Sequence, residues 1–290
     1  MSGADPTIAA AFVDACLAEL EALKPGNVHR YASGHRMEVD DFVRSAEASA
    51  PYIAGIGLSV GARVRGAVAA TLAATAQNTN LGIVLLCAPL AAAAEPHEGD
   101  LRAALGGVLG RLDKDDAVDV FAAIAEANPR GLGRVADEDV RERPTGSLLE
   151  AMRAAAGRDR IARQYITDYE DVFVLGRAAL DAAQKHGRDR RWSTLAVYLA
   201  FLAEIPDTHV ARKFDLATAE ALRREATAWR AKLAAASEPE AMFPDLLRWD
   251  AELKRRDVNP GTSADLTVAA LFAANLTNRG SVLPSSTNSA

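Results

Sequence analysis

Leu81-Gly82-Ile83-Val84-Leu85-Leu86-Cys87-Ala88-Pro89-Leu90-Ala91-Ala92-Ala93-Ala94 carries no charged and no amide side chain along its length. A helix on a protein surface keeps one polar face, so a stretch that is apolar all round predicts a helix enclosed by other helices. It is too short to span a bilayer, and the longer apolar runs are broken by Gly, Pro or charge. The centre of a helical bundle is the place that suits it.

Outward from this segment, alanine-rich stretches repeat apolar residues at three- and four-residue intervals, and the alternation of a half-buried strand is almost absent. The spacing predicts helices over 7–23, 39–51, 53–76, 81–94, 100–112, 114–128, 148–156, 168–185, 192–203, 216–235, 241–255 and 263–276. Pro25-Gly26 stops the first, and Asp40 and Asp41 suit the positive end of the second. The charged, glycine-containing stretch 129–144 reads as a long surface loop. No repeat and no Gly/Ser/Pro-rich linker divides the chain. The expected fold is all-α: a single-domain multi-helix bundle with a central apolar helix, one catalytic domain over 1–280, and a flexible tail over 281–290.

The chain has 290 residues, 49% of them hydrophobic and 25% charged, which predicts a packed protein and not a disordered one. A net charge of -6 gives no general basic field for nucleic acid or an anionic membrane, while leaving room for a local phosphate pocket. Cys16 and Cys87 both fall in apolar helical segments, so neither a disulfide framework nor a cysteine-rich zinc site is indicated. The first residues, Met1 to Thr7, lack the basic-then-apolar order of a signal peptide. These features predict a cytoplasmic protein.

Four polar clusters interrupt the apolar pattern, and such interruptions are where chemistry is expected. Lys24-Pro25-Gly26-Asn27-Val28-His29 would present a cation and an imidazole from a turn, or form a solvated turn. Gln77-Asn78-Thr79-Asn80-Leu81-Gly82 leads into the apolar helix, whose N-terminal amides attract phosphate, although Asn and Thr are also ordinary caps. In Pro206-Asp207-Thr208-His209-Val210-Ala211-Arg212-Lys213, the carboxylate would hold magnesium or cap a helix, and the two cations would grip phosphate or face solvent. Asn259-Pro260-Gly261-Thr262-Ser263-Ala264-Asp265-Leu266 is a tight turn into the last helix, with Ser263 a candidate cap. No phosphate-binding Gly-x4-Gly-Lys-Ser/Thr loop, no dinucleotide fingerprint after a strand and no Gly-x-Ser-x-Gly elbow is present.

In this order, Lys24-Pro25-Gly26 with Val28, Asn78-Thr79 with Gly82, Asp207-Thr208, and Asn259-Pro260-Gly261 with Ser263-Ala264-Asp265-Leu266 resemble the triphosphoribosyl-dephospho-CoA synthase family over nearly the whole chain. The resemblance implies an all-α fold and the reaction of ATP with 3'-dephospho-CoA to give 2'-(5''-triphosphoribosyl)-3'-dephospho-CoA and adenine. On that reaction Asp207 and Asp265 are the candidate catalytic carboxylates and magnesium ligands, and His29 and His209 the candidate proton carriers. Lys24, Gly26, Asn27, Asn78, Thr79, Asn80, Arg212, Lys213, Asn259, Gly261 and Ser263 are the candidate substrate-binding residues. ATP is the expected substrate, magnesium the expected cofactor and a homodimer the base-rate assembly. Family members typically follow Asn-Thr with His-Lys or His-Arg, whereas this chain has Asn80-Leu81. That form resembles a branch found in methanogens and methylotrophs, which implies an alternative: phosphoryl or pyrophosphoryl transfer in building a one-carbon carrier, methanofuran or methanopterin. A non-catalytic nucleotide-binding protein is the third reading.

Overall fold

The computed structural model describes residues 3–34, 37–95, 99–127 and 144–278. Fourteen α-helices fill them: α1 (Pro6–Glu21), α2 (Val39–Ile53), α3 (Val60–Thr75), α4 (Leu81–Ala94), α5 (Leu101–Leu109), α6 (Lys114–Ala127), α7 (Leu148–Ala155), α8 (Arg160–Ile166), α9 (Arg177–Lys185), α10 (Arg190–Glu204), α11 (Thr208–Lys213), α12 (Leu216–Ala235), α13 (Phe243–Arg255) and α14 (Gly261–Asn278). A π-helical turn, Asp171–Gly176, leads into α9, and a 3-10 turn, Pro239–Met242, leads into α13. No β-strand occurs among the described residues. The expected loop over 129–144, apart from Pro144, and the expected tail over 281–290 lie outside the described residues.

The apolar helix α4 takes the place its sequence demands. It packs on α1, α2, α3, α5, α8 and α14, and Val84, Leu86, Cys87, Ala88, Leu90 and Ala91 are fully enclosed. Pro89 sits inside this helix and has no N–H to give the carbonyl of Leu85 four residues earlier. A buried carbonyl left that way costs on the order of 1–3 kcal/mol. The Tyr165 hydroxyl donates to it at 2.7 Å, and the Tyr169 hydroxyl donates to the next carbonyl, that of Leu86, at 3.1 Å. Asp168 and Tyr169 hold left-handed φ angles of 47° and 54° in the turn that aims the second tyrosine.

A second apolar core gathers Leu195, Tyr198, Leu199 and Leu202 of α10 with Leu222 of α12, Leu246 and Leu253 of α13 and Ala264 of α14. The opposite side of α10 and α14 belongs to the core around α4. Several boundaries differ from the sequence expectation. The expected helix over 53–76 starts at Val60, because α2 continues through Pro51 to Ile53 and Ser59 caps α3 through the amide of Ala62. The expected helix over 168–185 is interrupted by the π-helical turn before α9. Helix α8 was not anticipated, and α11 only through the alternative that Asp207 caps a helix; each opens on an aspartate, Asp159 and Asp207, that accepts from two amides of its own first turn.

Candidate functional site

A cleft of about 860 Å³ opens where the N-terminal turns of α4 and α14 meet α11, the Asn27–Val28 turn and α1. Its wall takes Asn27 from the first polar cluster, Gln77, Asn78, Thr79, Leu81 and Gly82 from the second, His209, Arg212 and Lys213 from the third, and Asn259, Gly261, Thr262, Ala264 and Asp265 from the fourth. Four stretches far apart in sequence thus line one cavity, of the size a nucleotide site requires.

The α4 end is prepared for an anion. Asn78 accepts from the Leu81 amide at 3.3 Å, whereas Asn80, at the N-cap, gives no side-chain cap. Leu81, Gly82 and Ile83, whose amides lie in the first turn, line the cleft. Thr79 is steadied from behind by the Ser45 hydroxyl, and Asn80 is buried, donating to Ser49 at 3.4 Å. Asn80 therefore supports the turn and does not line the cleft.

The cations and acids of the wall are paired. Arg212 lies 3.3 Å from Asp159, and Lys213 lies 2.7 Å from Asp257. Asp265 stands apart: it forms no hydrogen bond or ion pair among the described residues, and its carboxylate abuts Gly82 so closely that a Cβ there would lie 2.0 Å from Oδ2. Burial, then the charges of Glu19, Asp207 and Asp159, push its carboxyl well above the usual range, against a smaller opposite pull from Arg212.

Asp207 is placed otherwise than expected. It is 1% exposed, outside the cleft wall, and both its oxygens are committed. Oδ1 accepts from the His209 and Val210 amides at 3.0 and 3.1 Å, and Oδ2 from the amide and hydroxyl of Ser263, both at 2.8 Å. One carboxylate thereby fastens the first turns of α11 and α14 together, which makes the capping alternative the better description of Asp207, while Ser263, the third residue of α14, donates to that carboxylate and is not itself a cap.

Lys24 is fully buried, and its three N–H donors go to Glu19, to Asn27 Oδ1 at 3.0 Å and to the Val28 carbonyl at 2.6 Å. None is left for a phosphate. Asn27 in turn donates to Asn259 at 2.8 Å, joining the first and last clusters. Gly26 holds φ +85°, and a Cβ there would lie 2.9 Å from Pro260 Cδ, so only glycine permits this approach. Its amide donates to Asp250 at 2.8 Å. His29 is also fully buried and away from the cleft. Its Nδ1 accepts from the Tyr31 amide at 3.3 Å, which leaves Nε2 to donate to Asp250, also 3.3 Å away. Burial holds this imidazole below its usual range, and so neutral. Lys254 completes the set, 3.0 Å from Asp250. His29 thus fastens the loop and is not exposed to a substrate.

Sequence reasoning missed Glu19, Asp159 and Asp257, and did not single out Gln77 and Thr262 within their clusters; all five are on the wall. Thr262 accepts from the His209 amide at 3.1 Å. For Glu19 a signal existed: it falls on the stripe formed by Ile8, Phe12, Ala15, Cys16 and Leu20, where a carboxylate has no ordinary reason to be.

Residues 5–282 match the family model for CitG, ATP:dephospho-CoA triphosphoribosyl transferase. A crystal structure from Archaeoglobus fulgidus, provisionally named a triphosphoribosyl-dephospho-CoA synthase, superposes with a TM-score of 0.62 at 23% identity, covering 80% of this chain and 97% of that one. That likeness is one of fold. No curated protein matches the chain. With the match extending through all four lining clusters, the chain belongs to the ATP:dephospho-CoA triphosphoribosyl transferase family and is an ATP-using transferase.

Proposed function

We propose that the cleft transfers the 5-triphosphoribosyl group of ATP to a hydroxyl of a dephospho-CoA-like acceptor, with release of adenine. The observation that carries this reading is Asp265, a carboxylate in the cleft with no ion-pair partner among the described residues. Departure of a base from ribose builds positive charge on the sugar, and a fixed carboxyl group that ionises beside that charge lowers its energy. Phosphoryl transfer, by contrast, calls for unpaired cations around its equatorial oxygens.

The triphosphate would lie on the α4 amides with Thr79 and Asn78, drawing Arg212 and Lys213 from their aspartates. His209 and Gly261 would border the sugar. No three His, Cys, Asp or Glu side chains gather as a metal site among the described residues, which does not suit an all-protein cage. It does suit magnesium brought by the triphosphate and held by one or two carboxylates, of which Asp265 is uncommitted. Bound there, the ion would neutralise phosphate charge. The same reading puts the reaction in the cytoplasm, consistent with two buried free cysteines and with no described helix long and apolar enough to cross a membrane. A single domain over 1–280 and a homodimer complete the proposal, the latter testable by light scattering.

Leu81 favours one second reading. An apolar side chain lines the cleft where family members typically carry a cation, which suits a different acceptor or phosphoryl transfer in one-carbon-carrier synthesis. Mass spectrometry of products from ATP, magnesium and a panel of dephospho-CoA and carrier precursors separates the two. Free adenine with a triphosphoribosylated acceptor supports the first; ADP or AMP with a precursor-dependent product supports the second.

A further inference from the structure

We infer that Glu19, on the buried stripe of α1, is the general base that takes the proton of the acceptor hydroxyl, and that Lys24 is its positioning residue. This rests on the triphosphoribosyl-transfer reading above. Glu19 is 4% exposed, yet it lines the cleft shared with Asp265. Its Oε1 is held by Lys24, and its Oε2 accepts no hydrogen bond among the described residues. A carboxylate with one oxygen clamped and the other directed at a substrate cavity is oriented for proton transfer without reorganisation.

The clamp is itself fixed. All three donors of the Lys24 ammonium are used, on Glu19, Asn27 and the Val28 carbonyl, and Asn27 is braced by Asn259. Lys24 can neither swing into the cleft nor release Glu19 without orphaning a buried charge. The other titratable groups around the pair are Cys16 on α1, His29 in the turn after it, Tyr198 on α10, Asp250 and Lys254 on α13, and Asp265 on α14. Burial raises the Glu19 carboxyl above its usual range, and the Lys24 charge opposes part of that rise.

In the step, the acceptor O–H proton passes to Glu19 Oε2 as the oxygen bonds to the anomeric carbon of ATP. The carbon–nitrogen bond to adenine breaks with its electron pair on the base. The proton held by Glu19 is then returned, directly or through water, to the departing adenine, and Glu19 ends as it began.

The test compares wild type, Glu19→Gln, the double variant Glu19→Gln/Lys24→Met, which leaves no buried charge unpaired, and Glu19→Ala with added formate. Adenine release by wild type is established first; its absence with every acceptor sinks the function reading and not this assignment alone. Expected are a fall in kcat of about 10²–10⁴-fold for both Gln variants with a nearly unchanged KM for ATP, and partial rescue of Glu19→Ala by formate. Lys24→Met should move the acidic limb of kcat/KM to higher pH. If wild type releases adenine while the folded double variant keeps kcat within about tenfold, or the acidic limb of the single Lys24→Met variant stays where it was in wild type, the assignment is overturned.

Discussion

Replacing Gly82 by alanine should separate catalysis from folding. The new Cβ would lie 2.0 Å from Asp265 Oδ2, 2.6 Å from its Cγ and 2.9 Å from Ile161 Cδ1. Ordinary contact begins near 3.4 Å, so the carboxylate must retreat by about 1.4 Å. The backbone of α14 will not yield, because Thr262, Ser263, Ala264 and Leu266 are all buried around it. Alanine regains up to about 1 kcal/mol of helix propensity, against an overpacking cost of about 1–3 kcal/mol, for a net loss of about 0–2 kcal/mol and a surviving fold. A displacement of about 1 Å at a reacting group costs about 100-fold in rate. Adenine release at saturating ATP, with a calorimetric melt alongside, measures both. Gly157→Ala, with nothing within 4 Å of its Cβ, is the control and should change neither. A folded Gly82→Ala enzyme turning over within about threefold of wild type would refute the placement of Asp265 at the reacting carbon.

Asp265→Asn should lower kcat by orders of magnitude while raising the melting temperature. The folded carboxyl sits well above its unfolded value, so stability declines as pH rises above the unfolded value and the amide removes that loss. The gain should be present at pH 8 and vanish below about pH 3.9. Asp207→Ala leaves the Val210 amide and the amide and hydroxyl of Ser263 without their acceptor and should cost about 3 kcal/mol or more, read by chemical denaturation; a loss under about 1 kcal/mol would count against its joining role. Tyr165→Phe should cost about 1–3 kcal/mol, and Pro89→Ala should recover part of it in the double variant, because the new amide can serve the Leu85 carbonyl. Full additivity in that cycle would show the two residues to be uncoupled.

The fold class was legible because α4 and its neighbours keep a helical period long enough to outweigh local ambiguity, and the bounds of α4 and α12 match the spacing. The six residues of α11 and seven of α8 span too few turns for a period to show, so they were recognisable only from their aspartate caps. Asn27, Asn78, Thr79, Arg212, Lys213, Asn259 and Gly261 do meet in one cleft. Lys24, His29 and Asp207 do not, since sequence shows a charge but not whether a partner has already taken it. Lys24 finds Glu19 five residues back, across the end of α1, His29 finds Asp250 from far along the chain, and Asp207 finds Ser263.

The enclosure of α4 also bears on how the polypeptide is made. Its residues leave the ribosome long before α14, which must cover one of its sides and which supplies Asp265. Some 170 residues separate the two helices, on the order of ten to thirty seconds of synthesis at 5–20 residues per second. For that interval a helix with no polar face stands open on a nascent chain, exposed to aggregation and to chaperones. Glu19 is synthesised long before Asp265, so the growing chain has no complete cleft until α14 docks.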